Sequence, residues 1–168
     1  MYLDIYVLTG KRNESTILKF IDQYVNQQKL SEEIIEYDLL VLPEGRTSFN
    51  NVEKEELIHC SVSSKQALIE LGLEKDTTCF WVYLPPLNKE KHDSIILQFT
   101  SDGYVVLGIT VWAYKDYEGG TSNMDFAIQL RDQLYEEYEG IMKTIQSFQP
   151  PPNNRQEMQE LMKLDIKE

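Results

Sequence analysis

The sequence predicts an α+β fold: a ferredoxin-like βαββαβ core with an appended β-hairpin and a long C-terminal helix, its mixed or antiparallel sheet covered by helices. Three observations carry that expectation. Strand-like runs rich in Ile, Val and Tyr alternate with amphipathic stretches over residues 2–84 in the order β-α-β, then β-α-β, which is the split βαβ plan. Asp102-Gly103 sits between two β-rich runs, a strong hairpin signal. A stripe of apolar residues at helical spacing then extends from Ala127 to Phe148.

Each element has its own warrant. Residues Tyr2 to Thr9 alternate and read as a strand, and Gly10 to Arg12 make a turn. Asn13 is a helix cap, because its side chain accepts a bond from a free backbone N–H. Ile17, Phe20, Ile21, Tyr24 and Val25 then recur on one helical face. Residues 26–33 are polar and read as a loop, with Ser31 placed to cap one further turn through Glu32 and Ile35. Tyr37 to Leu42 is an apolar run that suggests a strand buried on both faces, stopped by Pro43-Glu44-Gly45. Residues 46–54 are polar and read as an exposed loop, and Leu57 to Val62 is the next strand.

Ser63 and Gln66 have capping-box spacing and open a helix through Leu68 and Leu71 that ends near Gly72. Cys79 to Leu84 is a strand stopped by Pro85-Pro86, and Asn88 to Asp93 is a charged loop. Ser94 to Thr100 and Tyr104 to Trp112 flank the Ser101-Asp102-Gly103 turn. Tyr114 to Gly120 is a polar, aromatic loop, after which Thr121, Ser122 or Asn123 caps the long helix. Its stripe is Ala127, Leu130, Leu134, Tyr138, Ile141, Ile145 and Phe148, with Asp132, Glu136 and Glu139 opposite. Pro150-Pro151-Pro152 ends it as a stiff, extended connector. Met158, Leu161, Met162 and Ile166 then mark a short amphipathic helix. Residues 1–149 are thus expected to form a single α+β domain, and 150–168 a Pro-rich connector with a short C-terminal helix.

Composition bounds the function. The chain has 168 residues, 42% hydrophobic and 26% charged, a globular mixture large enough to fold without metal or disulfide. With 28 acidic and 16 basic residues its formal net charge is −12, which repels nucleic acid and anionic membrane surfaces and favours association with a basic partner. The same acidity also serves solubility alone, as in many bacterial-type proteins. The two cysteines, Cys60 and Cys79, lie in apolar strand-like runs and read as small core residues. The first residues lack the regions of a signal peptide, and no apolar run approaches the ~18 residues of a membrane span, so a cytoplasmic location is expected.

Few residues offer chemistry. His59 neighbours Cys60, so in a strand the two side chains face opposite ways and form no thiolate–imidazole pair. His59 reads as a satisfied strand histidine, and His92, in a loop rich in Lys and Asp, as a solvated one. No CxxC or HExxH spacing, GxGxxG or GxxxxGK[ST] motif is present, so no metal and no cofactor is expected. Ser63-Ser64 lacks the Gly-x-Ser-x-Gly setting of a nucleophile turn. Carboxylate pairs such as Glu136 with Glu137, or Asp116 with Glu118, read as solvated surface.

Two places remain. Trp112, Tyr114, Asp116, Tyr117 and Glu118 form an aromatic, acidic stretch suited to protein contact, unless Trp112 and Tyr114 finish a strand and pack on the core. Gly119, Gly120, Thr121 and Ser122 open the long helix, where backbone N–H groups attract an anion, although a flexible loop with an N-cap uses the same residues. The leading expectation is a noncatalytic acidic protein-binding module, in the manner of an immunity or antitoxin-type inhibitor of a basic protein. The rival is a small-molecule or enzymatic site at the sheet face or near Gly119-Gly120, marked by a pocket lined with Trp81, Tyr83 or Trp112. A third is a homo-oligomer joined through the C-terminal helix.

Overall fold

A computed structural model of the chain describes residues 1–116 and 120–166. Among them the strands are β1 (Tyr2–Thr9), β2 (Tyr37–Val41), β3 (Ile58–Val62), β4 (Phe80–Leu84), β5 (Ser94–Phe99), β6 (Val105–Trp112) and β7 (Gly140–Gln146). The helices are α1 (Glu14–Tyr24), α2 (Gln27–Glu33), α3 (Lys65–Leu73), α4 (Met124–Glu137) and α5 (Arg155–Lys163). The fold is α+β. Five strands form one sheet in the order β4-β5-β6-β1-β7, with every neighbouring pair antiparallel. Strands β2 and β3 form a separate antiparallel hairpin.

This strand order departs from the expected ferredoxin-like plan. There, both βαβ halves would enter one sheet. Here β2 and β3 pair only with each other, and the hairpin lies over the core. Leu39, Val41 and Val62 are buried while Asp38 and Leu40 are exposed, so β2 is buried on one face rather than two. A split βαβ unit does occur, but later in the chain. Strands β6 and β7 both run antiparallel to β1, so they are parallel to each other with β1 between them, and α4 makes the crossover.

The long C-terminal helix is the second correction. Helix α4 stops at Glu137, and Ile141 to Gln146 are strand. Glu139 takes a left-handed φ of 51°, and a Cβ at Gly140 would lie 2.7 Å from both Tyr135 and Val7, so the chain reverses tightly where no side chain fits. Beyond it the residues alternate. Ile145 joins the core beneath α4, while Met142 faces the opposite side of the sheet. The apolar positions 141, 145 and 148 keep a helical period, and the turn at 139–140 with the pairing on β1 overrides it. A third correction is α2, expected as loop. Asn26 accepts the Lys29 N–H at 3.0 Å, and Leu30 is the residue that the short helix buries.

Other local signals hold. Asn13 accepts from the Thr16 N–H at 2.9 Å and caps α1. The cap of α3 is Ser64 rather than Ser63, accepting from the Ala67 N–H at 3.0 Å. The Asp102-Gly103 turn joins β5 to β6, with Gly103 at φ 92°.

The two sheet faces differ. On one, Leu3, Ile5, Val7, Leu97, Leu107 and Ile109 meet Phe20 and Ile21 of α1, Leu68 of α3 and Leu130 of α4 in the main core. On the other, Tyr6, Leu8, Ile96, Val106 and Met142 meet Met158 of α5 in a smaller core. The tail therefore folds back on the sheet. Asn154 caps α5 by accepting from the Glu157 N–H at 2.8 Å, and Pro151, Pro152 and Asn153 in the connector are buried. Tyr6 donates its hydroxyl to the Gln149 carbonyl at 2.6 Å. The Asp4 carboxylate accepts from the Thr110 hydroxyl at 2.8 Å. Between Tyr6's partner Gln149 and the end of β7, Phe148 takes a φ of 56°, a conformation a bulky residue rarely adopts, with its ring exposed.

No helix among the described residues is long and apolar enough to cross a membrane.

Candidate functional site

The end of β6 and the start of α4 bring together the residues expected to meet a partner. Trp112 is the last residue of β6, paired across the sheet with Tyr2, and the two rings lie 4.5 Å apart. It stays 43% exposed and Tyr114 40% exposed, so the strand ends here without the core closing over either ring. The loop is tied at its base. Lys115 donates its N–H to the Thr121 carbonyl at 2.8 Å, and Asn123 donates its N–H to the Ala113 carbonyl at 2.9 Å. The Asn123 side-chain amide donates to the Trp112 carbonyl at 2.9 Å. Both aromatics are therefore presented on constrained backbone. Tyr117, Glu118 and Gly119 lie outside the described residues.

The proposed anion position is close by. The Gly120 N–H donates to the Asp116 carboxylate at 2.8 Å, so a negative charge of the chain already sits against that amide. Ser122 accepts from the Met124 N–H at 3.2 Å, while Thr121 and Ser122 remain exposed. Asn123 precedes α4 without a side-chain cap bond.

Two depressions adjoin this loop and share Lys91 and Phe126. One, of about 390 Å³, lies between Trp112, Tyr114, Lys115 and Glu90. The other, of about 370 Å³, lies between α1 and α4 and is lined by Gln23, Tyr24, Leu87, His92, Leu130 and Gln133 among others. His92 was expected in solvent, and the structure corrects this: it is 8% exposed. Its ring sits 5.9 Å from that of Tyr24 and 6.3 Å from that of Phe126, nearly parallel to the latter. The Asn88–Asp93 segment folds over the end of α1 because Leu87 donates its N–H to the Tyr24 carbonyl and Asp93 donates to the Thr110 carbonyl, both at 2.8 Å. That turn carries His92 inward despite its polar neighbours.

Burial governs the charge state of both groups. Desolvation, and then the charge of Lys91, hold the His92 imidazole below its usual range. Desolvation, and then Glu137, push the Tyr24 hydroxyl up to about 12. The folded pKa of His92 is depressed, so the unfolded chain binds the proton more tightly, and the contribution present above the ordinary value of 6.5 is lost as pH falls through the folded value. Urea unfolding at pH 7 and pH 5 is expected to give a smaller loss of stability for His92→Asn than for the wild type. An equal loss in the two would mean that His92 is not desolvated.

The remaining candidates are separate. His59 lies on the exposed face of β3, with Nδ1 2.9 Å from the Asp38 carboxylate. Cys79 is buried beside Gln98, whose amide lies 3.4 Å from the sulfur, and desolvation lifts the thiol to about 12. Cys60 is likewise raised by burial, so neither thiol is primed as a thiolate. Trp81 meets Phe49 edge to face at 4.9 Å, over a depression of about 250 Å³ bounded by Pro150, Pro151 and Pro152. Tyr83 stands exposed on the sheet face. Among the described residues, no group of three or more His, Cys, Asp or Glu side chains is placed to hold a metal ion.

Sequence reasoning missed Tyr24 and Phe126 as site residues. Tyr24 belongs to the apolar stripe of α1 and reads as core. Phe126 stands four residues before Leu130, at the edge of the α4 stripe, and likewise reads as core. Comparison with protein-family models, with curated proteins and with solved structures returns no match for this chain.

Proposed function

We propose that the protein is a noncatalytic acidic binding module that engages a basic protein through the surface around Trp112, Tyr114 and Asp116, in the manner of a bacterial immunity or antitoxin-type inhibitor working in the cytoplasm. The observation that carries this reading is the pair of large, exposed aromatics at the end of β6, held on hydrogen-bonded backbone. Tyr and Trp supply most hot-spot energy, and a pre-organised loop loses little entropy on docking. The formal charge of −12 adds long-range attraction for a cationic partner.

The test is titration against the basic products of neighbouring genes. Binding is expected to weaken steeply between low and high salt. A double variant, Trp112→Ala with Tyr114→Ala, is expected to lose at least about tenfold in affinity at unchanged melting temperature. Salt-insensitive binding, or a double variant that binds as well as the wild type, would overturn the proposal.

A second reading, a small-molecule site, draws on the depression between α1 and α4 rather than on the sheet face or Gly119-Gly120. Its aromatic lining by Tyr24, His92 and Phe126 favours it.

A further inference from the structure

The depression beside the proline connector combines aromatic walls with charge of one sign. Phe49 and Trp81 both line it and are half-buried, with ring centres 4.9 Å apart and planes at 79°, so the rings form a corner rather than a stack. Pro151 and Pro152 line it too and are buried. Among the described residues that line it, the charged ones are Glu157 and Glu160, three positions apart on one face of α5.

The walls are fixed to one another. The Asn154 side-chain amide donates to the Thr47 carbonyl at 2.8 Å, which ties the loop carrying Phe49 to the start of α5. The Ser101 hydroxyl donates to the same carbonyl at 2.8 Å, and its N–H donates to the Asn153 carbonyl at 2.8 Å. The side-chain amides of Asn153 and Asn154 donate to the Glu157 carboxylate at 3.0 and 3.2 Å, which holds it in place without neutralising it. Among the described residues Glu157 forms no ion pair, while Glu160 makes one exposed pair with Lys163 at 3.1 Å.

This chemistry selects a cation of low hydration. Aromatic faces attract positive charge, Trp most strongly, and the two carboxylates add to that field. A metal ion or a primary ammonium is strongly hydrated and loses more water than ring and proline walls repay. A quaternary ammonium spreads its charge over methyl groups, needs no hydrogen-bond acceptor and packs on apolar walls. An anion would meet Glu157 and Glu160. The volume of about 250 Å³ lies below the roughly 300–1,000 Å³ of drug-sized sites, so the occupant is small.

We infer that this depression binds a small quaternary ammonium ion of the choline type, with its methyl groups in the corner of Phe49 and Trp81 and its charge facing Glu157 and Glu160. The site shares no residue with the protein-contact surface or with the depression between α1 and α4, so its failure would leave both of those readings standing.

Choline is the probe, followed through the indole N–H resonances of the intact protein at low ionic strength. The controls are dimethylbutanol, its uncharged carbon isostere, and sodium chloride at matched ionic strength. The Trp81 resonance is expected to shift saturably near millimolar choline, with that of Trp112 unmoved and both controls at least about tenfold weaker. Glu157→Gln and Phe49→Leu are each expected to weaken binding about threefold or more. The inference fails if the Trp81 shift does not saturate, if Trp112 shifts with the same midpoint, if dimethylbutanol or sodium chloride matches choline, or if either folded variant binds like the wild type. Should a variant not fold, the comparison of choline with its isostere on the wild type decides alone.

Discussion

Replacing Arg12 by Ala is expected to lower the unfolding free energy by about 3 kcal/mol or more, equivalent to about 6–12 °C in melting temperature for a chain of this size. The guanidinium donates to the carbonyls of Thr100 at 2.7 Å, Tyr104 at 3.2 Å, Gly72 at 2.9 Å, Lys75 at 3.0 Å and Thr78 at 2.7 Å. Those oxygens belong to the end of α3, the loop into β4 and the hairpin between β5 and β6. One side chain in the turn after β1 thus joins three distant segments, lying 5.4 Å from the centre of the Phe99 ring. Burial penalises its charge, and Asp76 and Asp102 offset part of that penalty from a distance. With Ala, the part-buried carbonyls of Thr100, Gly72 and Thr78 lose this donor, which costs more than the net worth of the bonds, while the Tyr104 carbonyl keeps the Thr100 N–H and hydroxyl and the Lys75 carbonyl keeps the Thr78 N–H. Arg12→Lys retains the charge, but its three donors on a single nitrogen cannot span both groups of carbonyls, so it should recover only part of the loss. Urea unfolding of the three proteins measures this. An Ala variant within about 0.5 kcal/mol of wild type would show that the carbonyls find other partners.

Arg12 also marks what the sequence could not reveal. As a residue between Gly10 and Asn13 it reads as an ordinary turn cation, because nothing local records five carbonyls brought in by segments 60 to 92 positions away. The legible parts were those fixed by neighbours in the chain: the alternation of Tyr2–Thr9, the Asn13 cap, the Asp102-Gly103 turn, the amphipathic tail helix. The parts misread were decided by distant packing. Residues 141–146 are strand because β1 offers them an edge, and the turn at Glu139-Gly140 overrides a helical period that the apolar residues also satisfy. The strand order failed for a related reason, since alternating β and α runs fix the elements but not which strands pair. At the site, the sequence left open whether Trp112 and Tyr114 pack on the core or face a partner, because only the pairing of β6 with β1 sets how far each ring is covered. His92 was not legible, because its burial comes from α1 and α4 closing over a segment that looks polar.

Gly72→Ala tests the same junction from the other side, and two opposing effects decide its sign. In a helix interior Ala is favoured over Gly by about 1 kcal/mol. Against this, a Cβ at position 72 would lie 2.2 Å from Cζ of Phe99 and 2.4 Å from its two ε carbons. Contacts that short require the ring to move. Phe99 is fully buried and packs on the Phe80 ring at 5.0 Å, so it has no open side to move into. Overpacking of this kind costs about 1–3 kcal/mol and at times more, and here the displaced ring also carries the Arg12 guanidinium, which bonds the Gly72 carbonyl itself. The clash should win, with a net loss of about 2 kcal/mol despite the better helix former. Phe99→Leu relieves the contact at the cost of a cavity, so the double variant should lose clearly less than the sum of the two single changes. A strictly additive cycle in urea unfolding would mean that the ring does not limit position 72. A stabilised Gly72→Ala would mean that helix propensity, and not the close approach of α3 to β5, governs this end of the core.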